Sequence, residues 1–124
     1  MTLESPGESL DARIERYRPL VVEELRAVVG DSAAGLFAWM RYHLGWEDAA
    51  GRAEIASPGK MMRPVALLLA AELVGGDPER AVAAAASVEL IHNFSLLHDD
   101  VEDASEFRRG RANLWTFAGI PQAI

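Results

Sequence analysis

The chain has no cysteine among its 124 residues. Disulfide frameworks and thiolate metal sites are therefore excluded, and nothing ties the chain to an oxidising compartment. Basic residues are scarce: 12 Lys and Arg against 19 Asp and Glu give a formal charge of −7. Such a balance repels a polyphosphate backbone unless the cations are concentrated, so no nucleic acid is expected as a partner. Long apolar runs are missing too, none approaching the ~18 uncharged residues of a membrane helix, so no membrane span is expected. The opening "MTLESPGESLDAR" is acidic and polar, unlike a secretory or organelle leader, and reads as the start of a soluble, cytoplasmic protein. No stretch of five or more residues alternates as a strand, which leaves an all-α fold class.

What is present is apolar and helical. Half of the residues are hydrophobic, enough for one modest core in a single unit. Leu10, Ile14, Val21, Leu25 and Val28 recur at helical spacing until Gly30 and Asp31, with Pro19 a candidate kink or start. The stretch "SAAGLFAWMRYHLG" carries Leu36, Phe37, Met40 and Leu44 on adjoining rows, and "GWEDAAGRAEIASPGK" after it reads as a loop. A third helix is expected from about Pro64 to the stop at Gly75-Gly76, apolar nearly all round. Asp77-Pro78 then reads as the cap and first turn of a long helix running to about Ala104, with a last helix from near Arg111. The closing "FAGIPQAI" breaks off inside an apolar pattern, so this helix is expected to be interrupted.

The long helix ends in "LLHDDVEDASEFRRGR". Asp99 and Asp103 are one turn apart, which sets their carboxylates on one face at roughly 6 Å. Asp100 and Glu102 add charge beside the negative end of the helix dipole, and the arrangement costs stability unless something offsets it. A hard cation would, and Mg²⁺ favours a few carboxylate oxygens together with water and phosphate oxygens. An isolated D-x-x-x-D is more often a solvated face, but this one follows a buried-looking helix. Arg108, Arg109 and Arg111 follow, and neutralising the acids and the last helical carbonyls would by itself justify one or two of them. In "GKMMRP", Lys60 and Arg63 flank a helix start, a ready place for an anion. A nucleotide P-loop is excluded, since Glu54 stands where its first glycine would be and Met61 where its hydroxyl would be. His92 shares a helical face with Asp99 two turns on, although a histidine among apolar neighbours is more often a bonded core residue; His98 adjoins the acids, where a structural role is at least as common as a functional one, and His43 has no evident partner.

Together, "GKMMRP" and "VELIHNFSLLHDDVEDASEFRRGRANLW" resemble the first half of the trans-isoprenyl diphosphate synthases, the family of farnesyl and geranylgeranyl diphosphate synthases. The resemblance covers roughly Gly59 to Ile124, and Ala112, Asn113 and Leu114 depart from the proline, threonine and valine common in the family. It implies an N-terminal portion, residues 1–124, of a helical isoprenoid-synthase bundle. It implies further that Asp99 and Asp103 are Mg²⁺ ligands holding an allylic diphosphate, assisted by Asp100, with Arg108 on that diphosphate. Lys60, Arg63, His92 and Arg109 would hold isopentenyl diphosphate. Ionisation of the allylic C–O bond needs cations on the leaving diphosphate; attack by the held double bond and loss of a proton would lengthen the chain by five carbons. Phe94 and Ser95, five and four positions before the motif, are the expected chain-length residues, and the pair leans to a C20 product.

The family carries a second aspartate-rich motif that these 124 residues lack. The favoured expectation is therefore one part of a split synthase, a hetero-oligomer completed by a complementary chain that supplies that motif. A class I terpene cyclase of the same fold is a second reading, opposed by retention of the isopentenyl pocket. A non-catalytic partner subunit of a prenyl synthase is a third, opposed by the full set of ligands.

Overall fold

The Ser9 hydroxyl accepts a hydrogen bond from the Ala12 amide at 3.2 Å, and this N-cap opens α1, Leu10–Val29. Gly30, at φ 68°, closes it and donates its N–H to Arg26. Pro19 lies inside α1 without breaking it, at the loss of one ladder hydrogen bond. Four further helices follow, α2 Gly35–His43, α3 Met62–Leu73, α4 Val82–Glu102 and α5 Leu114–Ala118, and a last turn, α6 Ile120–Ala123. Phe107–Arg108 and Arg111–Ala112 form two short strands, β1 and β2. The computed structural model describes residues 7–54 and 59–124; "MTLESP" at the start and residues 55–58 of the long loop lie outside the described residues. The class is all-α, and no helix of the described residues is long and apolar enough to cross a membrane.

The core is where α1, α3 and α4 meet. Tyr17, Val21 and Leu25 of α1 lie against Val65 and Leu68 of α3 and Ala85 and Ala86 of α4, each 2% exposed or less. Small alanines on α4 let the other two helices approach its backbone, and each buried Leu or Val contributes about 1.5–3 kcal/mol. The buried row of α1 is Tyr17, Val21, Leu25 and Val29, so the expected stripe is displaced: Leu10 and Val28 are more than half exposed. On α2 the buried residues are Arg41 and Tyr42, while Leu36 faces outward. Buried Arg41 has found a structural use for its donors. It meets Glu47 at 2.6 Å and donates to the carbonyls of Gly30 and Ser32, which satisfies the turn beyond α1.

The other boundaries differ from expectation for local reasons. Met61 takes a left-handed conformation, φ 51°, and α3 starts directly after it, two residues before Pro64. Asp77 caps Glu79 as expected, but the turn Pro78–Ala81 is a 3₁₀ helix that precedes α4. α4 ends at Glu102 because Ala104 turns left-handed at φ 51°, with the Ala104 amide on the Val101 carbonyl and the Ser105 amide on the Asp100 carbonyl. This is a Schellman stop made without glycine. No helix starts at Arg111. Arg109 and Gly110, at φ 53° and 75°, form a hairpin turn with both central residues at positive φ, pairing Phe107 with Ala112 and Arg108 with Arg111. Two-residue strands are too short to show alternation, which is why sequence periodicity passes over them. Gly119, at φ 90°, then splits the expected last helix into α5 and α6.

Leu68→Ala should cost about 2–5 kcal/mol in urea unfolding. Leu73→Ala, at a site 81% exposed, should cost at most about 0.5 kcal/mol. Equal losses would refute the assignment of α3's inner face.

Candidate functional site

The acidic motif is divided by the helix end. Asp99, in the last turn of α4, and Asp103, its C-cap, are exposed, and neither enters an ion pair among the described residues. Asp100 is turned the other way and is 3% exposed. Its two oxygens accept from Arg108 Nη2 at 2.7 Å and Nε at 3.2 Å. This fork geometry holds the guanidinium in one orientation, and the hydrogen bond to Asp100 pushes the Arg108 pKa above its ordinary value. The arrangement leaves Arg108 Nη1 unused by Asp100. Among the described residues no three His, Asp or Glu side chains converge as a ready metal cage. Two exposed carboxylates one turn apart fit Mg²⁺ nonetheless, because that ion keeps several waters and takes the rest of its oxygens from phosphate.

A second set of residues surrounds an open groove at the start of α3. Lys60, Arg63, His92 and Arg109, from three separate segments, all line it. The hairpin turn throws Arg109 away from Arg108 and onto Gly59. A Cβ at Gly59 would lie 2.9 Å from both terminal nitrogens of Arg109, and Gly59 has φ 77°. Glycine is needed there twice over, for the backbone conformation and for the close approach. Arg63 Nη1 lies 3.2 Å from His92 Nε2; arginine only donates, so this nitrogen of His92 accepts. Among the described residues no side chain caps α3, so its first N–H groups add to the anion-binding character of the groove. Arg18 of α1 and buried Glu89 of α4 also line the groove. Neither is marked by any sequence motif.

Three supports were equally illegible in sequence. Arg111 does not neutralise the acids. It donates to the carbonyls of Tyr42 and Glu47, each at 2.7 Å, meets Glu54 at 2.9 Å and stacks 4.3 Å over the Tyr42 ring. The Ser105 carbonyl, just past the acidic motif, accepts from Asn113 Nδ2 at 2.8 Å and Trp115 Nε1 at 2.6 Å. His43, for which the sequence offers no partner, lies 3.0 Å from Asn93 Oδ1, and the Asn93 amide donates to Glu89. Burial pushes the His43 pKa down to about 4, against the opposing pull of the Asn93 hydrogen bond and the Asp100 charge. Phe94 is more than half exposed and packs against His98 with ring centroids 4.2 Å apart and planes tilted by 56°, while the Ser95 hydroxyl bonds back to the His92 carbonyl.

Comparison with known proteins gives one consistent result. The polyprenyl synthetase family model matches residues 46–124. A (2E,6E)-farnesyl diphosphate synthase of Mycobacterium bovis is 48% identical over 83 residues, 67% of this chain and 23% of that protein. A geranylgeranyl diphosphate synthase of Mycobacterium tuberculosis is 38% identical over 119 residues, 96% of this chain and 34% of the relative. The crystal structure of a polyprenyl synthetase from Streptomyces coelicolor superposes with a TM-score of 0.87 at 44% identity, over 94% of this chain and 34% of the other. The chain thus spans between about a quarter and a third of the length of these proteins.

The fold holds His43 neutral. Its contribution to stability is therefore complete above the ordinary imidazole value of 6.5 and is lost as the pH falls toward about 4. His43→Gln, which keeps an amide facing Asn93, should lose less stability than the parent between these limits in parallel urea titrations. Identical slopes would show that His43 is not held neutral.

Proposed function

Because the chain belongs to the polyprenyl synthetase family, we propose that it is the N-terminal portion, residues 1–124, of an isoprenyl diphosphate synthase-like domain in a Mg²⁺-dependent trans-prenyltransferase. The reaction joins an allylic diphosphate to isopentenyl diphosphate and yields a prenyl diphosphate five carbons longer. One observation carries the reading: Lys60, Arg63, His92 and Arg109 line one groove, while the acidic motif ends α4 with two carboxylates free of ion pairs among the described residues.

Each end has its own task. Asp99 and Asp103 hold Mg²⁺ at the allylic diphosphate, and Arg108, oriented by Asp100, adds a fixed positive charge there. When bound, the metal stabilises negative charge developing on the departing diphosphate. Asp100 assists through Arg108, since its own oxygens are engaged by that guanidinium. In the groove, Lys60, Arg63 and Arg109 grip isopentenyl diphosphate, and His92 orients Arg63 by accepting its hydrogen bond. Holding that molecule fixes its double bond for attack on the allylic carbocation, where positioning supplies much of the rate. Phe94 and Ser95 border the path of the growing hydrocarbon, and with a small residue one turn before Asp99 a C20 product is favoured. A cyclase would ionise one diphosphate and leave the four-residue groove without a ligand.

The family's second acidic motif is not among these residues, and the reaction needs it, either from further residues of the same protein or from a complementary chain in a hetero-oligomer. The chain should be mixed with Mg²⁺, an allylic diphosphate, radiolabelled isopentenyl diphosphate and a co-expressed chain carrying that motif. Elongated products are expected, with Asp99→Ala lowering their rate by about 100-fold or more. A cyclic hydrocarbon with no uptake of isopentenyl label, or no product with any such chain, would overturn the assignment.

A further inference from the structure

We propose that Arg18 is a further ligand of the anion held in the Lys60–Arg63–His92–Arg109 groove, and that Glu15 competes with the anion for it. This rests on reading the groove as a diphosphate site, and extends it to a helix that carries none of the motif residues. Arg18 lines the groove from α1, and its side chain is 30% exposed. Its hydrogen-bond partner among the described residues is Glu15, one turn back on the same helix, 2.6 Å from Nη1. Its Nε is buried and has no partner among those residues.

The Glu15 contact does not account for this placement. Glu15 is 68% exposed, and a surface pair at this spacing contributes little. It engages one corner of a guanidinium that has five donors, and leaves Nη2 and the second Nη1 hydrogen for an acceptor with several oxygens. Charge balance points the same way. Buried Glu89 also faces the groove, with Oε1 accepting from Asn93 Nδ2 at 3.1 Å, and an incoming diphosphate must contend with that carboxylate. Arg18 offsets it from α1. The ligand class is a diphosphate monoester such as isopentenyl diphosphate, whose terminal oxygens match the guanidinium fork in geometry and charge.

Calorimetric titration with isopentenyl diphosphate, and separately with inorganic diphosphate, tests this on the parent chain and four variants, with thermal unfolding run on each. Arg18→Gln should weaken binding of both by roughly ten-fold, the loss of one charge-assisted contact. Arg18→Lys, which keeps the charge and loses the fork, should fall between. Glu15→Gln should tighten binding about two- to five-fold, the release of a weak surface pair. An Arg18 with only a structural role would not produce opposite effects from the two halves of one ion pair. Arg63→Gln serves as the reference for the groove. If Arg63→Gln abolishes binding while Arg18→Gln leaves it unchanged, the groove stands and the role of Arg18 is refuted. Weaker binding by Glu15→Gln also refutes it. Failure of the parent to bind either diphosphate removes the groove reading and this one together.

Discussion

The ion pair between Asp100 and Arg108 is the contact on which the site depends. It ties the end of α4 to the hairpin and makes one segment of chain turn back on itself. Without it the acidic motif would be four like charges at the unfavourable end of a helix dipole. With it, one carboxylate is committed to structure, and Asp99 and Asp103 stay exposed. The same turn that holds Arg108 inward throws Arg109 outward onto Gly59. Two neighbouring arginines therefore serve two places, and the left-handed backbone of Arg109 is what separates them.

The supporting contacts share a pattern. Arg41, Arg111, Asn113 and Trp115 each spend their donors on backbone carbonyls of turns and loops. Carbonyls at and beyond helix ends have no ladder partner, and these side chains supply one. These residues fix the loop after α1, the loop around Glu47 and the segment after the acidic motif. The core of α1, α3 and α4 sets the positions from which the groove residues reach out, since Arg18, Arg63, Glu89 and His92 are carried by those three helices.

Much of the architecture is legible along the chain because helices are local. The spacing from Leu10 and the stop at Gly30 mark α1, and Gly75-Gly76 followed by Asp77-Pro78 marks the break between α3 and α4. The buried phase of a helix is harder to read. The α1 stripe runs through Tyr17 and Val29 and not through Leu10 and Val28, because packing against α3 and α4 selects the face and an amphipathic Tyr can fill it. The hairpin is invisible to periodicity, and a non-glycine residue at its turn gives no composition signal. His43 shows the same limit, for its partner Asn93 is on another helix.

By itself the sequence determined an acidic, cysteine-free helical chain and a set of motifs, "GKMMRP" and "HDDVEDASEFRRGR", whose spacing marks the family. Hydrophobic period, caps and motif spacing act over a few residues, so they survive in one dimension. Only the tertiary structure decided that Arg109 rests on Gly59, that Arg63 meets His92, that Asp100 faces Arg108, and that Arg18 and Glu89 join the groove. Apart from Asp100 and Arg108, which are eight positions apart, those relations join residues far apart in the chain. They follow from how three helices pack and where a two-residue turn points, and no local pattern encodes either.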